Sequence, residues 1–347
     1  MCHTEPVAPT RIIIAAVCAA AGFALAAVGG CAVGRHRDAD AAPDAGPFVV
    51  VLGVAQDAGA PQAGADAHPG WEDPSKRLRA ACLGLVDPRS GRYWLFEATP
   101  DFRSQLHDLH RAAAEASAPG VEPALAGIFI THAHIGHYTG LMFLGHESMG
   151  ASGVPVYAAA RMARFLRTNG PWDQLVRYGN IRLQEIAPGR EIALAPSLLV
   201  GAVPVPHRQE YSEVVAFILE GPSRRVLFLP DVDSWDDMDA AGTPIESLLA
   251  GVDVAYLDGT FFGDGEVPGR DMTGFPHPRI RDSVRRLGRL PASDRPSIRF
   301  IHLNHTNPAQ FPGSAARREV EAAGFRVARR GERVELAPAG DTGAGPG

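Results

Sequence analysis

Between Pro47 and Leu336 short apolar runs alternate with amphipathic stretches. Nine runs rich in Val, Ile, Leu and Phe predict strands: FVVVLGVA (48–55), ACLGLVD (81–87), RYWLFEA (92–98), GIFITH (127–132), SLLVGAVPV (197–205), EVVAFILEG (213–221), RRVLFLPD (224–231), VDVAYLDGT (252–260) and SIRFIHLNH (297–305). Apolar positions recur at helical spacing in PDFRSQLHDLHRAAAEA (100–116), AARMARFLRTNG (159–170), TPIESLLAG (243–251) and HPRIRDSVRRLGRL (277–290). Several strands come first, then a helix, then more strands, then strand and helix in alternation. That order predicts one layered α/β domain over residues 47–336 with mixed sheets, not a purely parallel doubly wound one.

The polar residues fall at a particular place in this pattern. Predicted strands run into His132, His207, Asp231, Asp258 and His305. Strand ends along one sheet edge are where α/β proteins assemble sites. Neutral imidazole with carboxylate is a donor set suited to zinc and related divalent ions. The densest cluster is THAHIGHYTGL (131–141), with His132, His134 and His137 in six positions around Gly136.

Each candidate also has a plainer reading. Asp231 could cap the helix that begins near SWDDMDA. His207, between Pro206 and Arg208, could be an exposed loop histidine. His302 and His305 compete for one role, since strand alternation leaves one of them structural; His305, past the strand end, is preferred. His68, His107, His110 and His146 have no comparable context.

Composition changes the picture little. The 347 residues are 46% hydrophobic and 21% charged, with a formal net charge of −6. Nothing there points to a nucleic-acid partner.

The N-terminus adds more. Arg11 precedes a long uncharged apolar run that ends in VGGC at Cys31. That is the form of an export signal, and VGGC resembles a bacterial lipoprotein box in which Cys31 is lipidated. Residues 1–31 are thus expected to be a signal or lipoprotein segment, or a retained apolar anchor, holding the protein at a membrane in the periplasm or at the cell surface. Residues 32–46 read as a flexible tether and 337–347 as a disordered tail. The body then retains a single cysteine, Cys82, with no disulfide or CxxC site to form.

The run His132-x-His134-x-x-His137 followed by Gly140-Leu141 resembles the metallo-β-lactamase superfamily signature H-x-H-x-D-H-x-x-G-L, and His207, Asp231 and His305 follow in that superfamily's order. VLGVAQDAGAPQ, ATPDF, LDGTFF, GRDM and HLNHTNP further resemble the pyrroloquinoline quinone biosynthesis protein B family. That family lacks the first two motif histidines and has an early cysteine cluster that is missing here. It also has Asn where this chain has His305. The resemblance implies an αββα sandwich of two mixed β-sheets flanked by helices. It further implies a metallo-hydrolase of a small-molecule substrate with a metal-activated water. The ions would be one or two zinc, with iron or manganese as alternatives.

By the same resemblance His132, His134 and His207 form one metal site. His137, Asp231 and His305 form the other, with Asp231 bridging and orienting the nucleophile. Gly136 removes the motif aspartate, and Asp57 is a candidate replacement. Asp258 and His277 match an acid–histidine pair kept by some phosphodiesterases of the superfamily, so His277 is the expected proton donor. Arg270, in the loop between them, is the expected contact for an anionic substrate group. An iron-dependent oxidative enzyme of the quinone-biosynthesis type and a non-catalytic metal-binding relative are the alternatives. Neither substrate nor oligomeric state is legible.

Overall fold

All nine apolar runs form strands, joined by five strands that the pattern does not announce. The computed structural model describes residues 45–337; the expected signal segment with Cys31, most of the tether and nearly all of the tail lie outside them. In chain order the strands are β1 (Phe48–Gly53), β2 (Cys82–Asp87), β3 (Arg92–Phe96), β4 (Ala124–Phe129), β5 (Val154–Ala159), β6 (Ile181–Ile186) and β7 (Glu191–Ala195). They continue with β8 (Leu198–Pro204), β9 (Val215–Glu220), β10 (Arg225–Leu229), β11 (Val254–Asp258), β12 (Ser297–Ile301), β13 (Arg326–Val327) and β14 (Arg333–Glu335). The helices are α1 (Phe102–Ala116), α2 (Ile135–Tyr138), α3 (Ala160–Thr168), α4 (Trp172–Arg177), α5 (Trp235–Ala240), α6 (Ile245–Leu249), α7 (Ile280–Leu287) and α8 (Ala315–Ala322).

Two seven-stranded sheets result, ordered β14-β1-β2-β3-β4-β5-β6 and β13-β12-β11-β10-β9-β8-β7. Both are mixed. In the first, β1, β2 and β3 pair antiparallel and β3 to β6 parallel. In the second, β7 to β10 pair antiparallel and β10 to β13 parallel.

The two-residue period explains the layering. Val49 and Val51 of β1 join Leu83, Phe96 and Phe129 in a core shared with Val200, Phe217 and Phe228 of the second sheet. Phe48, Val50 and Leu52 face the other way, onto Phe102 and Leu109 of α1 and Met162 and Leu166 of α3. A strand covered on both faces shows no polar alternation, which is why these strands read as continuous apolar runs. Ile245, Leu249, Ile280, Leu287 and Val320, from α6, α7 and α8, extend the shared core on the side of the second sheet. The outcome is the expected αββα sandwich. Cys82 is a buried free thiol on β2. Among the described residues no helix is long and apolar enough to cross a membrane.

The strands that the pattern missed have weak signals for physical reasons. β5 (VPVYAA) contains Pro155, which lowers a strand reading. β13 and β14 span two and three residues, too few for any period to show.

Candidate metal centre

β4 ends at Phe129, and the chain turns directly into the histidine cluster, with α2 starting one residue after His134. The turn packs tightly because Gly140 lies against the end of β3: its N–H donates to Ala98 O, and a Cβ there would fall 2.3 Å from Thr99 O. His207 follows β8, Asp231 follows β10, and His277 precedes α7. These residues converge. His132, His134, His207 and Asp231 form one group of potential ligands; Asp57, His137 and His302 form a second; Asp231, His277 and His302 a third.

His305 belongs to none of these groups, which corrects the sequence reading. β12 ends at Ile301, so His302 is itself the first residue past the strand. Its φ of 64° is left-handed, and it is buried within the cluster. His305 sits instead in the turn around Asn304 and Asn307, and its carbonyl accepts from Gln310 Nε2. Alternation along a strand does not foretell a left-handed residue directly after it.

Among the described residues four non-glycines have left-handed φ: Asp57 at 37°, Glu97 at 87°, His277 at 77° and His302 at 64°. All four stand at this site. Such backbone costs about 1–3 kcal/mol per residue and persists where surrounding structure imposes it, commonly at functional sites.

His132, His134, His207 and His302 each have one nitrogen committed outward, whereas His137 has only a close carboxylate behind its Nδ1 and no hydrogen bond at either nitrogen. Thr131 Oγ1 donates to Glu97 Oε1 at 2.6 Å and so accepts from His132 Nδ1 at 2.8 Å. His134 Nε2 donates to Glu210 at 3.0 Å and His207 Nδ1 to Asp233 at 2.8 Å. His137 Nδ1 lies 3.3 Å from Glu97 Oε1. Thr260 Oγ1 donates to Asp258 at 2.8 Å, which leaves it to accept from His302 Nδ1 at 3.0 Å. The inward nitrogens of those four therefore present lone pairs. His134 Nδ1 and His207 Nε2 face each other at 3.1 Å with both partner nitrogens already tied to carboxylates. Two lone pairs at that distance repel unless a cation or proton lies between them.

The buried inward atoms His132 Nε2, His137 Nε2, His302 Nε2, Asp231 Oδ1 and Asp57 Oδ1 have no hydrogen-bond partner. Buried polar atoms are seldom left so, and this many in one cluster fit a resident cation. Glu97, Asp233 and Glu210, which fix the histidine tautomers, were not anticipated; Glu97 was hidden at the end of β3, one residue before the ATPDF run.

Asp231 does not cap a helix; Ser234 caps α5 by accepting from Asp237 N. Its carboxylate stands 3.2 Å from His207 Nε2, 3.2 Å from His277 Nδ1, 3.5 Å from His132 Nε2 and 3.6 Å from His137 Nε2. Burial alone would raise its pKa, but His277, His207 and His302 hold it well below the usual carboxylate range. Burial likewise pushes Asp57 up, and His137 and His302 bring it below that range. Burial and the charge of His137 depress His132. Burial works against protonation of His137 too, but Glu97 and Asp57 outweigh it and raise that imidazole.

Asp258, fully buried at the end of β11, accepts from His277 Nδ1 at 2.8 Å and from the Val232 N–H at 3.1 Å. Burial opposes the charge of His277, yet Asp258 and Asp231 raise its pKa to about 10. Arg270 lies in the exposed loop, its guanidinium 5.6 Å from the Phe275 ring. Phe275 packs on Phe261, and Phe261 on His277, so Arg270 reaches the site through two rings and not by direct contact.

A family model described as the β-lactamase superfamily domain matches residues 92–295. The chain belongs to the metallo-β-lactamase superfamily. Coenzyme PQQ synthesis protein B of Methylobacterium sp. (strain 4-46) is 26% identical over 323 residues, covering 83% of this chain and 99% of the relative. That of Rhizobium meliloti is 27% identical over 316 residues, with 83% and 97% covered. Zn²⁺-bound PqqB from Methylobacterium extorquens superposes with a TM-score of 0.66 at 22% identity, over 83% of this chain and 100% of that one. A diphosphatase of the PhnP family gives 0.57 at 22% identity, over 84% and 98%. Both share the superfamily fold with this chain. Asp57 and His302 lie outside the stretch matched by the superfamily model, and the fold returns them to it from the two ends of the domain.

Proposed function

We propose that this protein is a metal-dependent hydrolase of a small-molecule ester, phosphodiester, lactone or related bond. The observation that supports the reading above others is the inward set of lone pairs on His132, His134, His207 and His302, each fixed from behind by a carboxylate or hydroxyl. His132, His134, His207 and Asp231 would hold one ion; Asp57, His137, His302 and the shared Asp231 a second, with zinc the metal in one solved relative of the same fold. A divalent ion bound there supplies Lewis acidity and lowers the pKa of its water towards neutrality.

The chain's own groups do the rest. Asp231, anionic and buried, accepts a hydrogen bond from the attacking water and orients it. Asp258 holds His277 by Nδ1, and among the described residues none hydrogen-bonds Nε2. That nitrogen is free to give a proton to the leaving oxygen. Glu97 through Thr131, Asp233 and Glu210 keep His132, His207 and His134 in the ligating tautomer.

The test is the metal content of the protein with hydrolysis of phosphodiester, lactone and carboxylic ester panels, beside His132→Ala and Asp231→Ala. Bound metal with metal-dependent turnover, lost in both variants, is expected. A metal-free protein in every preparation would overturn the reading.

A second reading rests on the relatives named for coenzyme PQQ synthesis, which this chain matches over almost their whole length. In that case the site holds iron and takes part in an oxidative step, and iron content with oxygen consumption distinguishes it. For both readings we place the protein outside the cytoplasm, held at the membrane through residues 1–31, with lipidation at Cys31. Labelling with a radioactive fatty acid in wild type and Cys31→Ser checks this.

A further inference from the structure

Beside the cluster, on the side of His134, opens a pocket of about 500 Å³, within the range of small-ligand sites. Its floor is the turn that follows β4, including Ala133, His134 and Ile135. His134 therefore belongs both to the potential metal ligands and to the pocket wall. Four rings stand in the remaining wall, Tyr138 from α2, Phe165 from α3, Trp172 from α4 and Tyr211 from the loop between β8 and β9, beside the polar Asn169 and Glu210.

The rings brace one another. Tyr138 packs edge-on against Phe165 at 5.4 Å and Trp172 at 5.0 Å, and Phe165 meets Tyr211 at 5.5 Å. Tyr138 is buried, while Tyr211 is 65% exposed and Ile135 69% exposed, so the apolar mouth is open to solvent. Four rings from four separate elements form a wall for a flat partner, which gains from offset or edge contacts beyond the area it buries. Arg208 is the one cation lining the pocket. Its nearest carboxylate, on Glu210, is 3.9 Å away and half exposed, and that carboxylate is already bonded to His134. An exposed pair so long leaves the guanidinium available for an anion.

We propose that this pocket takes a planar aromatic substituent of the substrate, with Arg208 meeting a negative charge next to the bond under attack. The inference rests on the hydrolase reading for the position of that bond, and it deepens it: the substrate is an anionic ester bearing an aryl or heteroaryl ring.

The test uses the full chain with its native metal and three non-hydrolysable probes, phenylphosphonate, cyclohexylphosphonate and methylphosphonate, by titration calorimetry. The wild type should prefer phenyl over methyl by about tenfold or more, and over cyclohexyl by several-fold. Tyr211→Ala and Trp172→Ala should each cut the phenyl-over-methyl ratio about fivefold, and Arg208→Ala should weaken all three probes together. Tyr211 and Arg208 are exposed, so these two variants are expected to fold. Equal phenyl and cyclohexyl affinity, or a ratio unmoved in both aromatic variants, would overturn the proposal. Ester hydrolysis is followed in the same preparations. Turnover without a phenyl preference sinks the subsite alone, and a phenyl preference without turnover sinks the hydrolase reading and leaves the subsite standing.

Discussion

Gly136 and Asp57 occupy complementary space. A Cβ on Gly136 would lie 2.3 Å from Asp57 Cα and 2.7 Å from Asp57 Oδ1. The position from which the superfamily motif projects its aspartate is thus filled by another aspartate, arriving from the loop after β1. Asp57 Oδ1 stands 3.3 Å from His137 Nε2 and 3.7 Å from His302 Nε2. The missing carboxylate is restored from a residue 79 positions earlier in the chain (136 − 57).

Gly136→Asp should therefore damage the protein although it restores the motif. Backbone must move to admit the side chain, and overpacking of this kind costs about 1–3 kcal/mol. Thermal unfolding of Gly136→Asp, Asp57→Gly and the double variant checks it. Asp57→Gly should lose metal, and the double variant should stay less stable than the wild type, because the 2.3 Å clash with the Cα of residue 57 remains when its side chain is gone. A fully stable Gly136→Asp single variant would refute the steric account.

The two terminal histidines should separate cleanly. His302→Ala removes a buried inward donor and is expected to lower the metal bound per chain. His305→Ala, outside the cluster, should leave metal content at the wild-type level. Elemental mass spectrometry of both decides it.

Loss of the proton donor should depend on the leaving group. His277→Ala is expected to slow hydrolysis of an alkyl-leaving-group substrate by about 10²–10⁴-fold, with metal content retained. A 4-nitrophenyl leaving group needs little protonation, so its rate should fall far less. Equal losses for both substrates would assign His277 to metal binding, the alternative that its place beside Asp231 and His302 offers.

Stability should carry a pH signature from Glu266, away from the metal cluster. Burial raises its carboxyl from 4.5 to about 7, against the opposing hydrogen bonds from Gly263 and Phe262. A folded-state pKa above the unfolded one means the folded chain holds the extra proton. The contribution is complete below pH 4.5 and is lost as pH rises through about 7. Denaturant midpoints should decline over that window, and Glu266→Gln should flatten the decline.

In the shared core, Phe129 stacks on Phe96 at 4.8 Å and on Tyr157 at 4.4 Å, and meets Phe217 of the opposite sheet at 5.5 Å. Phe129→Ala should cost about 3–5 kcal/mol in chemical unfolding. It ends the strand that delivers His132 and His134, so metal affinity should fall with it.

Much of this was readable along the chain. Buried strands announce themselves because both faces are covered, and α1 and α7 because one face is. The local cluster His132, His134 and His137 was visible since a single turn presents all three. His207, Asp231 and Asp258 could be proposed because each stands at a strand end, and the pairing of Asp258 with His277 came from the resemblance to the superfamily. Short edge strands such as β13 leave no period to detect, and Glu97, Asp233 and Glu210 carry no motif because their work is to bond a histidine distant in sequence.

By itself, then, the order of apolar and polar residues determined nine of the fourteen strands, the layered class and the side of the sheet where chemistry gathers, since these follow from local periodicity and the ends of strands. Tertiary structure alone decided that Asp57 fills the space beside Gly136, that His302 and not His305 closes the cluster, and which carboxylate holds each imidazole. Those choices depend on left-handed backbone at Asp57, Glu97, His277 and His302 and on contacts between residues up to 245 positions apart, from Asp57 to His302 (302 − 57). Neither is encoded in any short window of sequence; both arise only when the two sheets pack face to face.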